Sequence, residues 1–462
     1  MKICAYVQTA YAKKTYKNES FDTRLFVGLR IVVNELKKAG YEVDYAGEAT
    51  VHEYDVVLVS LTAQCDWYSF AAERMRWKKG NYKVAIGGAG VLNVEPWLEF
   101  FDVAMIGRGE DLIVPVVEAL LCGDKYHHKS VLYAEDFSED GYWEINQTNT
   151  SYPDGIQLHK GDPWIEGKIG CNHRCLFCSY TWSRKQNFEG AFSWDMKGGT
   201  LDMSERECAL LDYESGEYKV NWRLIRTTAI DGWSERLRFL VGKKIRNETI
   251  VKFLHDAFNS GEKPKLIRLF NIIGYPTETV EDWFDLVETF KRADYNKKVY
   301  DFDGTWQISI QNNHFLPYPA TPLACAPMQL KNFRGIVQKE MGINLPKCRL
   351  YDGKNIILSV SETIEALPTI LLNAISLRGT AGEAEAIKKL CTSKKFWNSD
   401  TKTRQLTLEK YFDLNKICGA FEPERLPTRW LHTWANVEKI YGKTPLEKKY
   451  FEEITSGEVY GK

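Results

Sequence analysis

Gly170-Cys171-Asn172-His173-Arg174-Cys175-Leu176-Phe177-Cys178 sets three thiols at C-x3-C-x2-C in one short loop. Thiolates this close together repel unless a metal holds them, so the spacing points to a metal centre rather than to scattered core cysteines. Two metals suit it. Zinc closes four protein ligands in a structural site, and His173 or Cys208 is available as the fourth, but the paired C-x2-C knuckles of common zinc modules are missing. A cubane 4Fe-4S cluster on Cys171, Cys175 and Cys178 leaves one iron without a protein ligand, and that iron can chelate a cofactor and pass it an electron. The spacing favours the cluster. The alternative is a zinc-stabilised nucleic-acid-binding module without catalysis, with His173, Arg174, Lys185, Tyr180 and Trp182 as its basic stacking surface.

The elements around this loop alternate between strand and helix. Residues 3–7, 43–46, 56–61, 84–86 and 103–106 read as strands, several of them apolar on both faces. Helical patterns fill 23–39, 67–79 and the stretch from about 110 to Gly123, which predicts a doubly wound α/β domain over 1–125. Residues 126–160 read as a connector, with 131–134 and 142–145 paired as a hairpin around Ser138-Glu139-Asp140-Gly141. A second βα series occupies 161–330: strands at 219–230, 265–273 and 305–310, a helix over 247–260 capped by Asn247, and a helix from Thr279. That repetition predicts a partial or complete βα barrel. Residues 331–462 read as a mainly helical C-terminal region.

Two further stretches carry polar groups at strand ends. Thr227-Thr228-Ala229-Ile230-Asp231-Gly232-Trp233-Ser234-Glu235-Arg236 ends a strand with a hydroxyl, an acid and a base, and Gly274-Tyr275-Pro276-Thr277-Glu278 forms a rigid turn after the next one. With the cysteine loop, and with Phe315-Leu316-Pro317-Tyr318-Pro319 closing the series, this order resembles the radical S-adenosylmethionine superfamily. The resemblance covers about residues 165–330 and rests most heavily on the cysteines. It implies that Cys171, Cys175 and Cys178 hold a 4Fe-4S cluster and that S-adenosylmethionine sits on the open iron. Reductive cleavage there would give a 5′-deoxyadenosyl radical acting on a substrate that the sequence does not name. Phe177, Gly274, Pro276 and Glu278 would lie near the adenine, and Ser234, Glu235 and Arg236 near the ribose or carboxylate. An external one-electron donor such as flavodoxin or ferredoxin is implied as partner. The family's Gly-Gly-Glu motif is represented by Gly198-Gly199-Thr200, with Thr where Glu is expected.

Ile86-Gly87-Gly88-Ala89-Gly90 and Ile106-Gly107-Arg108-Gly109-Glu110 resemble the strand ends of cobalamin-binding domains, where glycines let backbone approach a large ligand. The D-x-H-x-x-G motif that supplies a histidine to cobalt is absent, which leaves cobalamin an optional cofactor and methyl transfer one option among reactions. The whole chain has 462 residues and a formal net charge of −1, so no global field draws it to nucleic acid or an anionic membrane. Eleven mostly scattered cysteines, no bilayer-length apolar run and no signal-peptide core predict a reduced, cytoplasmic protein.

Overall fold

The computed structural model describes residues 2–6, 27–138, 141–147, 152–159, 162–166, 175–182, 210, 213, 227–260, 266–299, 306–319, 321–330, 333, 347–350, 356–363, 367–420 and 429–430. Two large sheets organise them.

The first contains β1 (Ile3–Tyr6), β2 (Val43–Ala46), β3 (Val56–Ser60), β4 (Lys83–Gly87), β5 (Val103–Met105) and β6 (Val131–Tyr133), in the order β2-β1-β3-β4-β5-β6. The first five are parallel, and β6 closes the edge antiparallel to β5. Helices α1 (Val27–Lys38), α2 (Asp66–Arg74) and α3 (Ile113–Cys122) connect them. Leu29, Val33 and Leu36 of α1 and Ile113, Val116 and Val117 of α3 pack on one face, while Trp67, Phe70 and Ala71 of α2 pack on the other. Helices on both faces make the domain doubly wound, as its strands' two-sided apolar character predicts. Gly123 ends α3 in the left-handed conformation, φ 73°, a cap only glycine adopts without cost.

The connector differs from expectation. Val131–Tyr133 does not pair with Tyr142–Trp143 (β7); it joins the first sheet, because Val131, Leu132 and Tyr133 are all buried and need cover on both faces. β7 pairs with β15 (Arg429–Trp430), and the hairpin of this region is β8 (Tyr152–His159) against β9 (Asp162–Glu166).

The second sheet has the order β10-β11-β12-β14-β13. In chain order, α4 (Ser179–Trp182) precedes β10 (Thr227–Ala229), α5 (Glu235–Leu240), α6 (Asn247–Asn259), β11 (Ile267–Ile273), α7 (Val280–Val299), β12 (Trp306–His314), β13 (Lys347–Leu350) and β14 (Ile356–Thr363). All but β13 are parallel. Ile250, Phe253, Leu254 and Ala257 form the buried stripe of α6 that the sequence spacing marks, each side chain contributing about 1.5–3 kcal/mol where large and apolar. Both α6 and α7 lie on the same face of this sheet, the arrangement of a βα-barrel arc, and among the described residues the sheet does not close. β13 and β14 carry the chain back into the sheet beyond residue 330, so the C-terminal region is not helical throughout. Helical structure in this region begins at α8 (Leu367–Arg378), after β14 ends at Thr363. It is followed by α9 (Ala384–Thr392), α10 (Lys394–Asn398), α11 (Thr401–Tyr411) and α12 (Leu414–Cys418). Among the described residues no helix is long and apolar enough to cross a membrane.

Candidate functional site

The cysteine loop is held as a turn: the Cys178 N–H donates to the Cys175 carbonyl at 3.1 Å, so both thiols belong to one tight bend. It is fixed from three directions. The Leu176 N–H donates to the Val241 carbonyl just after α5 (2.9 Å), the Leu176 carbonyl accepts from the Leu323 N–H (3.4 Å), and Trp182 Nε1 of α4 donates to the Cys175 carbonyl (2.9 Å). Cys175 is buried and Cys178 half-buried. Cys171, His173, Arg174, Lys185, Cys208 and Gly198-Gly199-Thr200 lie outside the described residues, and among the described residues no three His, Cys, Asp or Glu side chains converge as on a metal ion. The donors that are described suit a cluster. They are soft sulfurs on a rigid turn beside the half-buried Phe177 and the buried Tyr275, whose rings lie 6.1 Å apart.

Adjacent parallel strand ends meet this turn. Asp231, just after β10, has φ 51°, and the turn after β11 contains Gly274 at φ 80° and Thr277 at φ 66°. Among the described residues, Asp231 and Thr277 are the non-glycine residues with positive φ, a conformation that costs of order 1–3 kcal/mol and persists where the surroundings enforce it. The enforcing bonds are visible. Arg236 donates from Nη2 to the Thr277 carbonyl (2.8 Å) and through its fork to Asp282 (2.6 and 3.1 Å). Tyr275 donates its hydroxyl to the Asp231 carbonyl (3.2 Å), and Lys243 pairs with the Asp231 carboxylate. Burial pushes the Tyr275 phenol well above its ordinary range, and the negative charges of Asp231 and Cys175 add to the shift. A buried amide rung lies beneath. The Gly232 N–H donates to Asn271 Oδ1 (2.7 Å), and Asn271 Nδ2 donates to Asn312 Oδ1 (2.9 Å).

The sequence-predicted contacts are thus placed as follows. Ser234 caps α5: its hydroxyl donates to Asp282 (2.5 Å) and accepts the Leu237 N–H (3.0 Å). The Glu235 carboxylate accepts the Asn247 N–H (2.8 Å), so it caps α6, and Asn247 is the first helical residue rather than the cap. Ser234 and Glu235 thus cap helices, and Arg236 ties the turn after β11 to α7. Gly274, Pro276 and Glu278 are all buried. The Glu278 carboxylate accepts the Gly274 (2.6 Å) and Tyr275 (3.1 Å) N–H groups and the Trp283 indole N–H (2.7 Å), closing the turn. Burial raises its pKa to about 7 against the opposing pull of these donors. Asp231, Lys243, Tyr275, Asn271 and Asn312 were not singled out from sequence for this arrangement. The available signal was Asn271 and Asn312, polar residues inside apolar strands, which need buried partners.

Gly274 has a second constraint beyond its φ, since a Cβ there would run into the His314 ring. Gly274→Ala is expected to lose at least about 2 kcal/mol of stability, from left-handed strain and overpacking together. A denaturation midpoint within 0.5 kcal/mol of wild type, as an order of magnitude, would show that the turn relaxes freely.

At the first sheet, a Cβ on Gly90 would lie 2.6 Å from the Ala63 carbonyl oxygen, and one on Gly107 2.6 Å from the Asn146 oxygen, while Gly88 (φ 109°) abuts Leu61. The room these glycines make is taken by the chain's own backbone. Tyr68 and Asn93 of the neighbouring segments also bond α8 and the residue after it, through the carbonyls of Leu372 (2.9 Å), Ser376 (3.2 Å) and Gly379 (2.8 Å).

No protein-family model matches the chain. An uncharacterized protein of Methanocaldococcus jannaschii, MJ0966, is 22% identical over 336 residues, covering 62% of this chain and 72% of that protein. Among solved structures, the cobalamin-dependent S-adenosylmethionine radical enzyme OxsB with aqua-cobalamin and S-adenosylmethionine bound is similar at TM-score 0.40 and 10% identity, covering 98% of this chain and 79% of that one. OxsB with aqua-cobalamin bound gives TM-score 0.39 and 10% identity, covering 99% of this chain and 84% of that one. Likeness at this level leaves the chemistry to rest on the residues themselves.

Proposed function

We propose that the protein is a radical S-adenosylmethionine enzyme of the cytoplasm, reduced by an external one-electron donor, with Cys171, Cys175 and Cys178 as cluster ligands. The observation that carries this reading is the C-x3-C-x2-C loop, whose last two cysteines form a turn at the carboxyl ends of parallel strands β10 and β11. The carboxyl edge of a parallel sheet is where open α/β and barrel folds bind ligands. When bound, the cluster and S-adenosylmethionine together supply a 5′-deoxyadenosyl radical for hydrogen abstraction. The chain's own part is positional. Val241 and Leu323 fix the cysteine turn, Glu278 shapes the approach at Gly274, and Phe177 with Tyr275 excludes water. The proposed divisions are a doubly wound domain over 1–125, a connector over 126–160, the barrel over 161–330 and a C-terminal region over 331–462.

The test is anaerobic reconstitution with iron and sulfide, then dithionite and S-adenosylmethionine, with 5′-deoxyadenosine followed by chromatography. A brown, iron-containing protein that forms it is expected. A colourless, zinc-containing protein would replace this reading with a zinc-stabilised module.

A further inference from the structure

The two faces of the second sheet differ more than a parallel sheet normally permits. On one face Thr228, Ile230, Ile267, Leu269, Ile308 and Ile310 are buried, the isoleucines and Leu269 packing with α6 and α7. On the other, the strand register aligns Thr227, Arg268 and Ser309 in one row, Ala229, Phe270 and Gln311 in the next, and Ile272 and Asn313 in a third. All of these keep some exposure, and Arg268 and Asn313 are exposed. β11 and β12 are interior strands, so this is not an edge effect. Parallel sheets are ordinarily covered by apolar layers on both sides, so a partly polar, partly exposed face on interior strands suits contact with something other than the core.

The charge on this wall is simple. Arg268 is its cation, and among the described residues no carboxylate pairs with it. Its row neighbours are hydroxyls, Thr227 on β10 and Ser309 on β12, each one strand spacing of about 4.8 Å away. A guanidinium fork takes both oxygens of a carboxylate, and the neighbouring Ser309 hydroxyl adds a donor. One positive charge balances a monoanion, whereas a phosphate dianion would remain half neutralised. Phe270, in the next row, offers an aromatic surface beside the fork. From Arg268 to the carboxyl end of β11, where Tyr275 meets the cysteine turn, the strand advances roughly 17 Å at about 3.3 Å per residue.

We propose that this face is the substrate wall, and that Arg268, with Ser309, takes the carboxylate of an elongated polar substrate whose reacting carbon lies roughly 15 Å away at the cysteine end. The reacting end rests on the radical-enzyme reading; the anion site rests on the sheet alone.

The experiment uses full-length reconstituted protein and titrates 4-phenylbutyrate, its neutral amide and phenyl phosphate by ligand-detected NMR. Wild type is expected to bind the carboxylate about tenfold more tightly than the amide, with Arg268→Gln losing most of that preference and Arg268→Lys intermediate. Iron content and thermal midpoint establish that each variant is folded; should Arg268→Gln fail there, the wild-type acid-against-amide comparison decides. Equal binding of acid and amide, an unchanged affinity in folded Arg268→Gln, or tighter binding of phenyl phosphate would each overturn the proposal. A wild-type protein that prefers the carboxylate but takes up no iron would remove the radical-enzyme reading and leave the anion site standing.

Discussion

Cys175→Ala is expected to retain almost no cluster iron after anaerobic reconstitution and to form no 5′-deoxyadenosine. A cubane held by three cysteines has no spare protein ligand, so one deletion leaves two thiolates to hold four irons. The fold should survive the change. The turn is made by backbone bonds from Cys178 to Cys175 and Leu176 to Val241 and by the Trp182 indole N–H donating to the Cys175 carbonyl, none of which uses the Cys175 side chain, so alanine keeps every one. Loss of one buried sulfur costs about 1 kcal/mol, small against an ordinary domain's stability. Cys122→Ala is the matched control, because Cys122 is exposed at the end of α3 and should leave iron unchanged. Iron analysis and the visible spectrum of both variants check the prediction. Full iron in Cys175→Ala would place the metal elsewhere, and equal losses in both variants would mean that iron binds without a defined site.

Arg378→Met should give the largest loss of stability, at least about 4 kcal/mol in a denaturant titration. Arg378 is almost wholly buried, and its guanidinium donates to the carbonyls of Ala324 (2.6 Å), Ala326 (2.5 Å), Ile417 (3.1 Å) and Gly419 (2.7 Å). Burial lowers its pKa to about 10, still far above neutrality, so the charge stays on and the bonds are charge-assisted. Methionine matches much of the volume but leaves these carbonyls without that donor, each worth about 1–3 kcal/mol if it stays dry. The effect reaches the site, because Ala324 and Ala326 follow Leu323, whose N–H holds Leu176 in the cysteine turn. Weakened iron retention below the unfolding midpoint is therefore expected with the stability loss. Arg378→Lys keeps the charge without the fork and should fall between. A methionine variant within about 1 kcal/mol of wild type would show that water replaces the guanidinium.

Sequence alone determined the features governed by neighbours along the chain. The cysteine spacing, the strands of the first sheet, the buried stripe of α6 and the turn at Gly274-Tyr275-Pro276 follow from side-chain period, glycine and proline geometry and thiol chemistry, all readable within a few residues. Tertiary structure alone decided the partners. β6 chose β5 over β7 because its three apolar residues needed cover on both faces, a demand only the assembled sheet meets. Ser234 and Arg236 turned toward Asp282, far along the chain, and Tyr68 toward Leu372, 304 residues away. No local pattern encodes such bonds, since a hydroxyl or guanidinium is satisfied by whichever acceptor folding brings within reach. For the same reason Asp231, Lys243 and Tyr275 were brought together, and Arg268 came to stand between Thr227 and Ser309, only when parallel strands were set side by side in register.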